Sequence, residues 1–165
     1  MTCRSCSSNN LLNVLSLGEL YLSDFIGKND KVPEKHPLTL MKCKDCNLVQ
    51  LEKTVPSQSL YSDNYGYRSG INDTMRAHLR EIVLEAAKLV ELNQFDTVVD
   101  IGSNDSTLLK NYPSALIRIG FDPISKFSQY YNETNLILIN HFFSSDIYFK
   151  FLETTGARGR KAKIV

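Results

Sequence analysis

The sequence has no excess of charge of either sign. Nineteen Lys+Arg residues stand against eighteen Asp+Glu, a formal net charge of +1 over 165 residues. Nucleic-acid binders ordinarily carry a clear basic surplus, so the charge argues against that class. A disordered tail is excluded as well, because 42% of the residues are hydrophobic and only 22% are charged, ordinary values for a globular domain. Long apolar runs are also missing. The longest lies near Leu136–Ile139, far short of the ~20 residues a membrane helix needs. The opening Met1-Thr2-Cys3-Arg4 shows no apolar stretch of the signal-peptide kind. These absences lead to the expectation of a soluble, cytoplasmic protein that contacts no membrane.

Cysteine is scarce but ordered. All four fall in two C-x-x-C pairs, Cys3-Arg4-Ser5-Cys6 and Cys43-Lys44-Asp45-Cys46. Two such knuckles supply four thiolates around one ion, as a structural zinc site requires. A redox C-x-x-C comes singly, between a strand and a helix, and disulfides do not suit a chain with no secretion signal. Cys3, Cys6, Cys43 and Cys46 are therefore the candidate metal ligands. With all four positions filled by protein, the metal would hold the fold and do no chemistry. Arg4 and Lys44, inside the knuckles, would offset part of the thiolate charge.

Three segments follow from the patterning. Residues 1–60 have turn signals at Asn9-Asn10, Gly18, Gly27-Lys28-Asn29-Asp30 and Pro33, and short strands at Leu11–Leu17 and Leu48–Leu51. They hold too few large apolar residues for an independent core, so a metal staple makes physical sense. Residues 61–93 comprise a polar, aromatic connector (61–72) and a helix from Asp73 to about Leu92. Met75, Leu79, Ile82, Val83, Ala86, Leu89 and Val90 share one face of that helix, Asn72 or Asp73 caps it, and His78 is expected partly buried beside the stripe. Residues 94–165 alternate strand and helix. Strands are expected at Thr97–Ile101, Leu116–Phe121, Leu136–Ile139 and Lys161–Val165, and helices at Thr107–Tyr112, Ser125–Tyr131 and Ser144–Leu152. That alternation implies a parallel α/β sheet.

The segment richest in chemistry is Asp100-Ile101-Gly102-Ser103-Asn104-Asp105-Ser106. A buried strand ends in an acid, turns at a glycine and enters a helix, where ligands meet backbone amides at the carboxyl edge of a parallel sheet. The second and third glycines of a dinucleotide loop are missing, which weakens a nicotinamide-enzyme alternative. About 20 residues on, Gly120-Phe121-Asp122-Pro123 ends the next strand in another acid, positioned to accept both hydroxyls of a ribose. A nucleoside without a diphosphate fits this pattern. S-adenosylmethionine is such a ligand, with Asp100 and the loop facing its amino-acid part and Asp122 its ribose. The alternative is that both acids only cap helices or terminate strands.

Taken in order, these features resemble the N-terminal part of the sugar C-methyltransferases that act on nucleotide-linked 4-keto-deoxyhexoses. The resemblance runs through both knuckles, through Leu15-Ser16-Leu17-Gly18 and His36-Pro37-Leu38-Thr39-Leu40, through Tyr65-Gly66-Tyr67-Arg68-Ser69, and through the loop Asp100–Ser106. It implies a small four-cysteine, zinc-ribbon-like module followed by part of a Rossmann-like class I methyltransferase sheet, about four parallel strands in the order three, two, one, four. It implies zinc on the four cysteines and S-adenosyl-L-methionine at Asp100, Gly102, Ser103, Asn104, Asp105 and Asp122. Tyr65, Tyr67 and Ser69 are expected to line the cofactor or substrate cleft. The partner it implies is a small nucleotide-sugar substrate methylated next to its ketone. The family's proton-transfer residues lie beyond the fourth strand, so no catalytic residue is nominated from His36, His78 or His141. The chain is thus expected to be an N-terminal portion that binds zinc and cofactor but lacks the base. Ser106 departs from the family's loop glycine; a positive φ there would make serine costly, whereas a helix cap would suit it. A non-catalytic zinc-ribbon module contacting protein or nucleic acid is the competing class. Oligomeric state is not legible.

Overall fold

β1 (Leu11–Tyr21), β2 (Lys35–Cys43) and β3 (Val49–Leu51) pair antiparallel in the order β1-β2-β3 in a computed structural model, which describes residues 1–22, 26–61, 64–157 and 159–165. The long apolar run of β1 does not make a one-sided amphipathic strand. Its register slips between Asn13 and Leu15 and again between Ser16 and Glu19, beside Gly18 at φ 74°, and such irregularities re-aim side chains. Leu12, Val14, Leu15, Leu17, Leu20 and Tyr21 are all 42–55% exposed as a result. The chain divides into two units, Met1–Gly66 and Tyr67–Val165. Among the described residues of the first, only Cys3, Thr39, Cys43 and Gln50 are buried. A single helical turn, α1 (Ser57–Leu60), follows Pro56.

The second unit is built around apolar side chains. Asn72 caps α2 (Asp73–Leu89), its Oδ1 accepting from the amides of Thr74 and Met75, which satisfies donors a helix start leaves free. β4 (Thr97–Ile101), β5 (Ile117–Phe121), β6 (Leu136–Ile139) and β7 (Ala162–Ile164) form a parallel sheet in the order β6-β5-β4-β7. This is the α/β architecture and strand order expected from the alternation and the resemblance. One cluster joins Val83 of α2 to Val98, Leu109, Tyr112, Leu116 and Leu136. Another sets Val99, Ile119 and Phe121 against Ile147, Tyr148 and Phe151 of α3 (Ser145–Thr154).

Several local expectations change. β2 was not anticipated, because its apolar and polar residues alternate only weakly. The helix expected at Thr107–Tyr112 shrinks to a 3-10 turn over Leu109–Asn111, and that at Ser125–Tyr131 is 3-10 over Ser125–Tyr130. α2 ends at Leu89, and only Val83 of its stripe is buried; Ile82, Leu89 and His78 are exposed. Residues 62 and 63 of the connector lie outside the described residues.

Candidate functional site

The two knuckles of the first unit fold alike. In each, the first cysteine donates its amide to the residue five positions on, to Ser8 O at 2.8 Å and to Leu48 O at 2.8 Å. Its carbonyl accepts from the residue four positions on, Ser7 N or Asn47 N, and those residues hold φ near 60°. This turn points both sulfurs of a knuckle the same way. Cys3 Sγ lies 3.5 Å from Cys46 Sγ and Cys6 Sγ 3.6 Å from Cys43 Sγ, and all four sulfurs lie within 4.8 Å of one another. Four bonds of about 2.3 Å to one ion require sulfurs roughly 3.8 Å apart, so the cluster fits tetrahedral zinc. The Cys6 backbone amide holds the Cys3 thiol down to about 6.

The knuckles are tied to each other and to the sheet. Asp45 of the second accepts from Ser8 Oγ and from Asn10 Nδ2 (2.9 Å) after the first, which keeps its carboxyl below the usual range. Arg4 of the first donates its amide to Gln50 Oε1 (2.9 Å) and its guanidinium to Leu51 O (3.0 Å) and Thr54 Oγ1 (2.6 Å). Arg4 is thus a tie to β3 as well as a positive charge near the thiolates.

In the second unit, the loop after β4 meets the end of β5. Asp100 pairs in register with Gly120, two residues before Asp122. Gly120 cannot carry a side chain, since a Cβ would overlap the Tyr131 hydroxyl and the Ser103 side chain. The Tyr131 hydroxyl donates to Ser103 Oγ at 2.6 Å, and burial raises its pKa well above the ordinary phenol value. Asp122, 5% exposed, accepts from Asn104 N and from Ile124 N, both at 2.9 Å, and its carbonyl accepts from Asn140 Nδ2 at 2.8 Å. A carboxylate has about four acceptor positions, so roughly two stay available. Asp100 is different. It is half-buried, and no described residue donates a hydrogen bond to its carboxylate. Burial first, and then the charge of Asp122, raises its pKa to about 6. Such a carboxylate is suited to a cationic or hydrogen-bond-donating group that would return it to its charged form.

Ser103, Asn104, Asp105 and Ser106 are buried, while Gly102 is exposed. The amides of Gly102 and Ser103 both donate to Phe121 O, at 2.8 and 3.1 Å. Asn104 Oδ1 accepts from Ser69 N (3.0 Å), Asn104 Nδ2 donates to Tyr67 O (3.2 Å), and Asp105 Oδ2 accepts from Gly70 N (2.9 Å). Tyr67 and Ser69 therefore meet the loop through their backbones, while Tyr65 belongs to the first unit, its ring 5.6 Å from that of Tyr61. Gly102, at φ 78°, has open space where a side chain would stand, so a ligand can approach the turn there. Ser106 has φ 62°, the glycine-like case. It is fully buried, with its hydroxyl donating to Asp105 O (2.5 Å) and Tyr130 O (3.1 Å). Arg68 stands in the connector run with no role assigned from the sequence, and Gly70 and Tyr130 carry no local signal there. His36 sits in β2, and His78 and His141 are exposed, the His141 ring pairing with Phe142 O at 2.8 Å.

Residues 3–61 match the family model Methyltransf_13, whose description is "Putative zinc binding domain". The chain is also 26% identical over 149 residues to a curated relative, the C-methyltransferase NovU of Streptomyces niveus. That alignment covers 88% of this chain and 35% of the relative, so the chain spans about a third of the relative's length. The resemblance legible in the sequence, a zinc-binding start on a C-methyltransferase-like chain, is met by both.

Proposed function

We propose that this chain supplies the zinc-binding module and the cofactor-binding acids of an S-adenosylmethionine-dependent methyltransferase that methylates a carbon next to the ketone of a nucleotide-linked deoxysugar in the cytoplasm. The observation that carries the proposal is the pair of acids closing adjacent parallel strands on either side of an open glycine turn. Asp100 offers an unsatisfied carboxylate to the amino-acid end of the cofactor. Asp122, already fixed by two backbone amides, presents its remaining acceptor positions to the ribose hydroxyls. When bound, the cofactor supplies an electrophilic methyl group on a cationic sulfur. The residues described here bind and orient it, and none of them is assigned the proton abstraction that would generate the sugar carbanion. Carbon as the acceptor and a deoxysugar as substrate rest on the resemblance and on the relative's name. Zinc on Cys3, Cys6, Cys43 and Cys46 has no open position for substrate, so its part is structural.

Calorimetric titration of S-adenosylmethionine into the full chain tests this. Saturable binding is expected, weakened by roughly tenfold or more in Asp100→Ala and in Asp122→Ala, the loss of one charge-assisted hydrogen bond or more. Absence of binding by the folded chain would refute the proposal.

A further inference from the structure

Three of five consecutive loop residues hold left-handed backbone: Gly102 at φ 78°, Asn104 at 50° and Ser106 at 62°. For residues other than glycine that conformation is costly and persists only where neighbours impose it. The neighbours are the residues Tyr67–Gly70. Their backbone fills both polar atoms of the Asn104 side chain and one oxygen of Asp105. Arg68 Nε stands 3.4 Å from the same Asp105 oxygen. Its Nη1 donates to the Tyr130 hydroxyl at 2.6 Å, with the guanidinium 5.0 Å from the centre of the Tyr130 ring. The Tyr130 carbonyl in turn accepts from Ser106 Oγ, which closes a circuit of strap, loop and 3-10 helix. A side chain at Gly70 would force the side chains of Asp105 and Thr107, or the strap, to shift. A Cβ would stand 2.7 Å from both Asp105 Oδ2 and Thr107 Oγ1, and Gly70 O accepts from Arg76 Nη1 at 2.7 Å.

We propose that Arg68 and Gly70 are positioning residues for the loop: the strap Tyr67–Gly70, by occupying Asn104 and Asp105, sets the conformation that keeps Asp100 and the Gly102 turn facing the cofactor. Asn104 and Asp105 then act on the strap and not on the cofactor. This rests on the function proposed above for what the loop binds, but not for how the loop is held.

The test uses the full chain with Gly70→Ala, Arg68→Met and Arg68→Lys. Amide signals of residues 102–107 are recorded by NMR without ligand, and S-adenosylmethionine affinity is measured by calorimetry far below the thermal midpoint. Gly70→Ala is expected to displace or broaden the loop amides and weaken binding roughly tenfold, the equivalent of one lost charge-assisted hydrogen bond. Arg68→Met should do the same to a smaller degree, and Arg68→Lys should recover part of the affinity by restoring the charge beside Asp105. Loop amides that stay at wild-type positions in Gly70→Ala would overturn the proposal. So would a lowered thermal midpoint with unchanged affinity, the mark of a merely stabilising role. A wild-type chain that binds no S-adenosylmethionine would defeat the proposed function instead, while the ligand-free loop signals would still decide the strap.

Discussion

The two units of this chain are held together by different physics. Among the described residues of Met1–Gly66 the buried ones are two cysteines, a threonine and a glutamine, and Leu12, Leu15, Leu17 and Leu20 of β1 stay exposed. In Tyr67–Val165 the buried set includes Val98, Leu109, Ile119, Phe121, Phe127 and Leu136, arranged on both faces of a parallel sheet. A short segment that cannot bury enough apolar surface needs another source of free energy, and a structural metal provides it. The lesson is that apolar content alone does not make a core: β1 is rich in leucine, yet its two register slips prevent those side chains from collecting on one face.

The sharpest way to break that contrast is to remove the metal. Chelation of the zinc-loaded protein, or Cys43→Ser, should unfold the first unit, because structural zinc in small modules contributes on the order of 10 kcal/mol. The second unit should keep its dispersed NMR signals, since its core contains no cysteine. The converse is Leu109→Ala. Leu109 is fully buried, so truncation should cost the second unit about 2–5 kcal/mol in a denaturant titration, with the zinc content of the first unaltered.

A pH titration separates the units further. An unfolded aspartate titrates near 3.9, and burial, with the charge of Asp122, pushes the folded Asp100 carboxyl up to about 6. The fold thus favours the protonated form. The stability this contributes is complete below the unfolded value and is lost as pH rises through about 6. Asp100→Asn should therefore stabilise the ligand-free second unit by on the order of 2 kcal/mol above pH 6, with no gain below pH 4. Equal stabilisation at both pH values would show that burial of the charge is not the cause. The smallest effect is expected from Ser106→Gly. Glycine relieves the positive φ but forfeits hydrogen bonds to Asp105 O and Tyr130 O, and these terms are each about 1 kcal/mol. The net change in unfolding free energy should stay within about 1 kcal/mol.

What was legible in the sequence follows the same division. The cysteine pairs and the strands at Thr97–Ile101 and Leu136–Ile139 stand where spacing and β-branched runs put them, because ligand geometry and buried parallel strands both write local signals. The sheet order came through as well. β2 and the shortened helices did not, since weak alternation and loop-imposed 3-10 turns depend on tertiary context. At the loop, Asp100 and Asp122 were marked by their places at strand ends. The task of Asn104 and Asp105 was not, because it depends on Ser69 and Gly70, 35 positions away in the chain. Whether Ser106 caps a helix or takes a positive φ was likewise undecidable without the backbone.

The central claim is that metal holds the first unit while the acids of the second bind the cofactor. One experiment addresses both halves: NMR of the full chain with S-adenosylmethionine added before and after zinc chelation. Collapse of the signals of residues 1–60 on chelation, with the ligand still shifting signals around Asp100, Gly102 and Asp122, is the predicted result. Survival of the first unit without metal, or ligand-induced shifts confined to the cysteine knuckles, would contradict it.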